Sequence, residues 1–176
     1  MTAMNEALDP IIIRGATRGD ARAIAEILVG DWQTAYRGII DDEYLDAMSV
    51  KERAQREAQR YRQYVVAERG GEVLGFAWNE LSGGDAAEGE IVALYVRYAM
   101  RGHGIGKALF RHAAETFRAA GCRRMIVWCL KGNEAAGRFY ERMGGKPGPG
   151  GTHPWGSRDY EMVSWVYRLD GALCPV

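Results

Sequence analysis

The chain has 176 residues, 47% of them apolar, and its 23 Lys+Arg balance 23 Asp+Glu. That length suits one domain with a real core and is cramped for two. The neutral balance argues against a nucleic-acid footprint, which needs a basic excess or stripe. The three cysteines (Cys122, Cys129, Cys174) and three scattered histidines make neither a disulfide framework nor a metal constellation.

Residues 1–9 read as a flexible leader without the basic and apolar segments of a signal peptide. No apolar run approaches the ~20 residues of a membrane helix, so no membrane association is expected and a cytoplasmic location follows. A single domain is expected over residues 10–170, with 171–176 as a tail. Ile11–Arg14 suits a first strand. Thr17 stands three residues before Asp20, a capping pattern, and Ala23, Ile24, Ile27 and Leu28 then recur at helical spacing. A second helical region is predicted over about Asp41–Tyr61, its alternating charges forming a solvated face. Tyr64–Glu68, the turn Gly70-Gly71 and Glu72–Asn79 read as a hairpin, followed by a loop at Ser82–Asp85.

Glu88–Val96 is the next strand, and Gly104–Ala120 a helix whose buried stripe is expected to hold Ile105, Ala108, Leu109, His112, Ala113, Thr116 and Phe117. The continuous apolar run Arg124–Leu130 suggests a central strand. Asn133–Met143 is a helix closed by Gly144-Gly145. The Gly/Pro-rich stretch from Lys146 to Ser157 is expected to be loop, and Glu161–Leu169 a final strand. The fold class is α/β (α+β): one mixed, mostly antiparallel sheet flanked by helices.

Between a strand and a helix lies Arg101-Gly102-His103-Gly104-Ile105-Gly106-Lys107. Glycines let backbone approach an anion, and a helix N-terminus offers unpaired N–H groups and a positive dipole end. The loop is therefore a diphosphate cradle. The dinucleotide pattern fails, because counting from Gly102 its third glycine would fall on Lys107, and no acidic residue ends the next strand. The P-loop pattern fails at Ala108 and at Arg101. What matches is Arg-x-x-Gly-x-Gly.

The stretch Glu90–Leu109 (EIVALYVRYAMRGHGIGKAL) resembles the acyl-CoA-binding core of the GNAT superfamily of N-acetyltransferases. The run Asn133-Glu-Ala-Ala-Gly-Arg-Phe139-Tyr140, one strand later, resembles that family's second signature, and Trp32–Ile40 its first-helix region. The resemblance spans about Ile11 to Leu169. It implies acetyl-CoA as co-substrate, no metal, and an amine of a small molecule or protein as acceptor, attacked directly in a ternary complex. It leaves room for a homodimer, with a closing strand paired across subunits.

The same resemblance implies roles. The diphosphate would rest on backbone N–H groups of the loop Arg101, Gly102, His103, Gly104, Ile105 and Gly106, with Lys107 in or beside the cradle. The pantetheine arm would pair like an extra strand with the Leu94-Tyr95-Val96 stretch, one of whose N–H groups would polarise the thioester. Asn133 would contact the arm, although it equally suits a helix cap. Tyr140 would be the general acid at the sulfur, and Glu90 the base, acting directly or through water. Trp32, Tyr36 and Arg37 would form the acceptor wall. Against these stand a solvent-facing His103, a core Tyr140 beside Phe139 and a plain strand-start Glu90. Cys122 and Cys129 read as packing residues, and a non-catalytic acyl-CoA-binding regulatory domain is the alternative function.

Overall fold

The computed structural model describes residues 9–81 and 87–171. Its eight strands form one sheet: β1 (Ile12–Gly15), β2 (Tyr64–Arg69), β3 (Glu72–Leu81), β4 (Gly89–Val96), β5 (Arg124–Leu130), β6 (Lys146–Pro147), β7 (Gly151–Trp155) and β8 (Arg158–Arg168). The order is β1-β2-β3-β4-β5-β8-β6, with β7 also on β8. All pairs are antiparallel except β4 with β5. The mixed, mostly antiparallel sheet is the one expected, and β5 is central in it. The expected loop at Ser82–Asp85 lies outside the described residues.

The helices are α1 (Ala21–Ala35), α2 (Asp42–Asp46), α3 (Val50–Arg60), α4 (Ile105–Ala119) and α5 (Glu134–Arg142). Among the described residues no helix is long and apolar enough to cross a membrane. The start of α1 is locked locally: Asp20 accepts from the Thr17 backbone N–H at 2.7 Å and from the Arg14 guanidinium. Ile24, Leu28 and Val29 of α1 pack on Tyr64, Val66 and Phe76 of β2 and β3. On the opposite face Leu109 of α4 packs on Ala67 and Ala77, while Phe110 and Phe117 pack on Met125, Val127, Tyr140 and Tyr167.

Four expectations change. The region Asp41–Tyr61 is two helices, because Ser49 caps a new one, its Oγ accepting the Glu52 N–H at 3.3 Å. Its charged face is not wholly solvated: Glu57 is 0% exposed and holds Arg60 through bonds of 2.9 and 3.0 Å, Arg53, and the Tyr64 hydroxyl. A carboxylate tolerates such burial only when paired on this scale. The α4 stripe is shifted: Thr116 is exposed, while Phe110 and Ala114 are buried.

The fourth change is the stretch from Lys146 to Ser157. It is β6 and β7 joined to β8 by a turn at Gly156, whose φ is +63°. Pro147 is tolerated because β6 is a sheet edge, where its missing N–H costs no ladder bond. The closing strand β8 consequently begins at Arg158 and is covered by β6 and β7 on the side away from β5. It is not a free edge for pairing with another chain.

Candidate active site

The site begins where β4 and β5 part. They pair only from Gly89–Met125 to Ile91–Val127, yet β4 runs on to Val96 and β5 to Leu130. Their other edges stay paired, β4 with β3 through Val96 and β5 with β8 through Leu130. A bulge at Val92, where Trp78 pairs Ala93 but Asn79 pairs Ile91, turns β4 away from its neighbour. The backbone groups of Val92–Val96 that face β5 therefore look into a gap with no strand to satisfy them. A cavity of about 370 Å³ occupies this gap, lined by Leu94, Tyr95, Val96, Asn133, Phe139 and Tyr140 among others.

One end of the gap is the glycine loop. Gly102 and Gly104 hold φ of +80° and +81°, a left-handed conformation costly for other residues. No atom lies within 4 Å of where a Cβ would stand on either, so the loop is open above its backbone. The first helical N–H to find a partner is that of Ala108, on the Gly104 carbonyl at 2.9 Å. Those just before it in the turn have no carbonyl behind them and face outward. Lys107 adds a cation to the lining. The donor set suits a polyanion.

Arg101 is held rather than loose. Its guanidinium pairs with Asp31 of α1 and lies 5.1 Å from the Tyr98 ring centre. Asn133 caps α5, its Oδ1 accepting the Ala136 N–H at 3.2 Å, and it also lines the cavity. Both sequence readings of Asn133 thus fit the same rotamer.

The other end of the cavity is aromatic. Tyr140 is 6% exposed, backed by Phe139 and Trp165, and burial pushes its phenol well above the ordinary tyrosine range. Tyr36 and Cys129 also line the cavity, and burial pushes the Cys129 thiol up to about 11. Trp32 donates its Nε1–H to the Tyr95 hydroxyl at 2.9 Å, and Trp155 stands edge-on to Trp32 with centroids 5.4 Å apart. The β7–β8 turn thus delivers Trp155 to the wall carried by α1.

His103, Ile105, Arg37, Trp32 and Glu90 are not among the residues that line the cavity. His103 is exposed and turned onto the Arg101 carbonyl at 2.9 Å. Ile105 is 1% exposed, beneath the loop, so only its backbone can serve the cradle. Arg37 pairs with Asp42 and Asp46 and is not among the lining residues. Glu90 sits at the last pairs before the strands part, opposite Glu80 and on the face of Trp78 and Tyr95. Burial first, and then Glu80, raise its pKa. The sequence reading missed Asp31, Met100, Phe139 and Cys129 as lining residues; Met100, inside the Glu90–Leu109 stretch, and Phe139, inside the second signature, carried a signal. Among the described residues no three His, Cys, Asp or Glu side chains converge as metal donors.

A slot between splayed strands, closed by an anion cradle and flanked by buried phenols, defines a site for a long phosphate-bearing ligand. Residues 22–145 match the model of the Acetyltransferase (GNAT) family, and the chain belongs to that family. It is 31% identical over 130 residues to the uncharacterized N-acetyltransferase YuaI of Bacillus subtilis, covering 70% of this chain and 73% of that one. Its fold is similar to that of yncA from Salmonella typhimurium, solved with its cofactor acetyl-CoA: TM-score 0.66, 21% identity, 95% and 98% of the two chains covered. It is likewise similar to the paia N-acetyltransferase of Thermoplasma acidophilum in complex with coenzyme A, with TM-score 0.67, 19% identity and 90% and 99% coverage.

Proposed function

We propose that this chain transfers an acetyl group from acetyl-CoA to a primary amine, by direct attack within a ternary complex. The observation that carries the reading is the parting of β4 and β5 over a left-handed glycine loop at the start of α4. A strand edge with unmet hydrogen bonds suits an amide-bearing pantetheine arm, and the loop's N–H groups suit a diphosphate. The two similar structures solved with acetyl-CoA and coenzyme A support this choice of ligand.

Leu94 and Val96 offer backbone groups to the arm, and Asn133, with Oδ1 engaged at its helix, has its amide nitrogen left for the same task. Arg101–Lys107 receive the diphosphate. An N–H of the bulged β4 segment polarises the acyl carbonyl. Tyr140 keeps its proton until a thiolate forms beside it, then donates it. A raised pKa opposes earlier loss of that proton. Glu90 takes the proton that the amine must lose, directly or through water, and its raised pKa makes it a stronger base than an ordinary carboxylate. Cys129 is unsuited to carry an acyl group, because a thiol pushed up to about 11 holds little thiolate at neutral pH. Tyr36 walls the acceptor side, with Trp32 packed edge-on behind it and Trp155 on Trp32, which fits an amine of a small molecule or a peptide.

A thiol-release screen of primary amines with acetyl-CoA tests the reading. Turnover is expected with at least one amine class, and Tyr140→Phe should lower kcat by ~10²-fold with acetyl-CoA binding unchanged. Acetyl-CoA binding without turnover of any amine would favour the non-catalytic acyl-CoA-binding alternative.

A further inference from the structure

The charged side chains that line the cavity are Asp31, Arg101, Lys107 and Arg142. Asp31 and Arg101 pair with each other, which leaves Lys107 and Arg142 as the uncompensated charge. Among the described residues neither side chain makes an ion pair or a hydrogen bond. Helical spacing offers them no acid. Four positions either side of Lys107 stand His103 and Arg111. Four positions either side of Arg142 stand Lys146 and Arg138, and Arg138 is already bonded to Glu134 at 3.0 Å. The dipole of α5 favours a cation in its last turn, where Arg142 lies, but no carbonyl there accepts from the guanidinium.

The two cations stand at different places. Lys107 follows Gly106 directly, beside the loop N–H groups that suit a diphosphate. Arg142 belongs to α5. Phe139 bridges the two helices: its ring lies 3.5–3.6 Å from where a Cβ on Gly106 would stand, and edge-on to Phe110 of α4 with centroids 6.3 Å apart. Arg142 follows Phe139 by three residues, on the helix face that also carries Ala135, and all three line the cavity. The groove between the start of α4 and α5 thus runs from the glycine loop, past Phe139, to an exposed guanidinium.

Resting on the acetyltransfer reading above, we propose that Arg142 binds the phosphate on the ribose 3′ position of the coenzyme and makes the site prefer coenzyme A to its 3′-dephospho form. The pantetheine arm leaves the diphosphate toward the slot between β4 and β5. The nucleoside leaves it on the other side, along the α4–α5 groove. The ribose phosphate is a terminal dianion one sugar beyond the diphosphate. Lys107 is taken up by the diphosphate and Arg101 is held by Asp31, so the glycine loop has no free cation left to meet it. Arg142 supplies that charge, and a guanidinium presents paired N–H donors that match phosphate oxygens.

The test is calorimetric binding of CoA and 3′-dephospho-CoA to the full chain, as wild type, Arg142→Gln, Arg142→Lys and Arg111→Gln. Wild type should bind CoA ~10-fold more tightly than 3′-dephospho-CoA, the low end for a charge-assisted bond because the guanidinium is exposed. Arg142→Gln should lower CoA affinity by ~10-fold and leave 3′-dephospho-CoA affinity unchanged, and that unchanged ligand reports an intact fold and cradle. Arg142→Lys should keep ~3-fold of the preference, since it retains the charge and loses the paired donors. Arg111 is a cation of α4 outside the cavity lining, so Arg111→Gln should keep the whole preference. Equal affinity of wild type for the two coenzymes would overturn the proposal and leave the acetyltransfer reading standing. Equal loss of both ligands in Arg142→Gln, or the same selective loss in Arg111→Gln, would do the same. If wild type binds neither coenzyme, both readings fall together.

Discussion

Replacing Glu57 with Gln removes one charge from the interior and nothing else of comparable size. Glu57 is 0% exposed and joins Arg53, Arg60 and the Tyr64 hydroxyl. Arg60 in turn lies 5.1 Å from the Trp78 ring centre, and Trp78 donates to Glu80 at 3.0 Å. Losing one partner of a fully buried ion pair costs ~3–5 kcal/mol. The Arg53 and Arg60 side chains here are 25% and 32% exposed, so water relieves part of that penalty. The expected loss is about 2 kcal/mol, or a Tm lower by about 4–8 °C for a chain of this size. Urea melts of both proteins across pH supply a second check. Burial alone would raise the Glu57 pKa, but Arg60, Tyr64 and Arg53 together outweigh it and hold it below the ordinary value, so its contribution is full above the unfolded value and vanishes as pH falls through the folded one. The gap between wild type and Glu57→Gln should therefore be widest near neutrality and close in acid. A Gln variant within ~0.5 kcal/mol of wild type at pH 7, or a gap unchanged through the acid range, would refute the reasoning.

Two further outcomes concern the site. Because burial and Glu80 raise the Glu90 pKa, kcat/KM should fall as pH drops through that raised value, since the base must be ionised to act. Glu90→Gln should lower the plateau by ~10²-fold and abolish this acid limb, and a limb of unchanged position in the variant would remove Glu90 from the role. Trp155→Ala strips the contact with Trp32 that the β7–β8 turn delivers, so it should raise the acceptor KM while leaving acetyl-CoA affinity alone. Equal effects on both would show that the turn does not shape the acceptor side.

Much of this molecule is legible in its sequence, and the parts that are not share a cause. The glycine loop, the flanking strand and helix, and the asparagine-led α5 announce themselves through backbone needs that few residue types meet. Gly102 and Gly104 do adopt left-handed φ, and Asn133 does cap its helix. What sequence periodicity misses is long-range. Glu57 reads as one more surface charge until Tyr64, seven positions on, folds over it. The Lys146–Ser157 stretch has the composition of a loop, yet β8 supplies a template on which it pairs as strand. Asp31 lies 70 positions from Arg101, and no local pattern could join them. The bond from the Trp32 indole to the Tyr95 hydroxyl joins residues 63 positions apart and depends on three-dimensional neighbours alone.

The central claim is that the parted strands and the glycine loop hold acetyl-CoA. Calorimetric titration of the purified protein with acetyl-CoA, CoA, NAD and ATP tests it most directly, with Gly104→Glu as the control. At φ +81° and facing open space, that glycine tolerates a side chain poorly, and a carboxylate there would repel phosphate. The account predicts binding of acetyl-CoA and CoA but not of NAD or ATP, and loss of that binding in the variant while its melting transition persists. A folded protein that binds neither acetyl-CoA nor CoA, or binds them as well with Glu at 104, would contradict it.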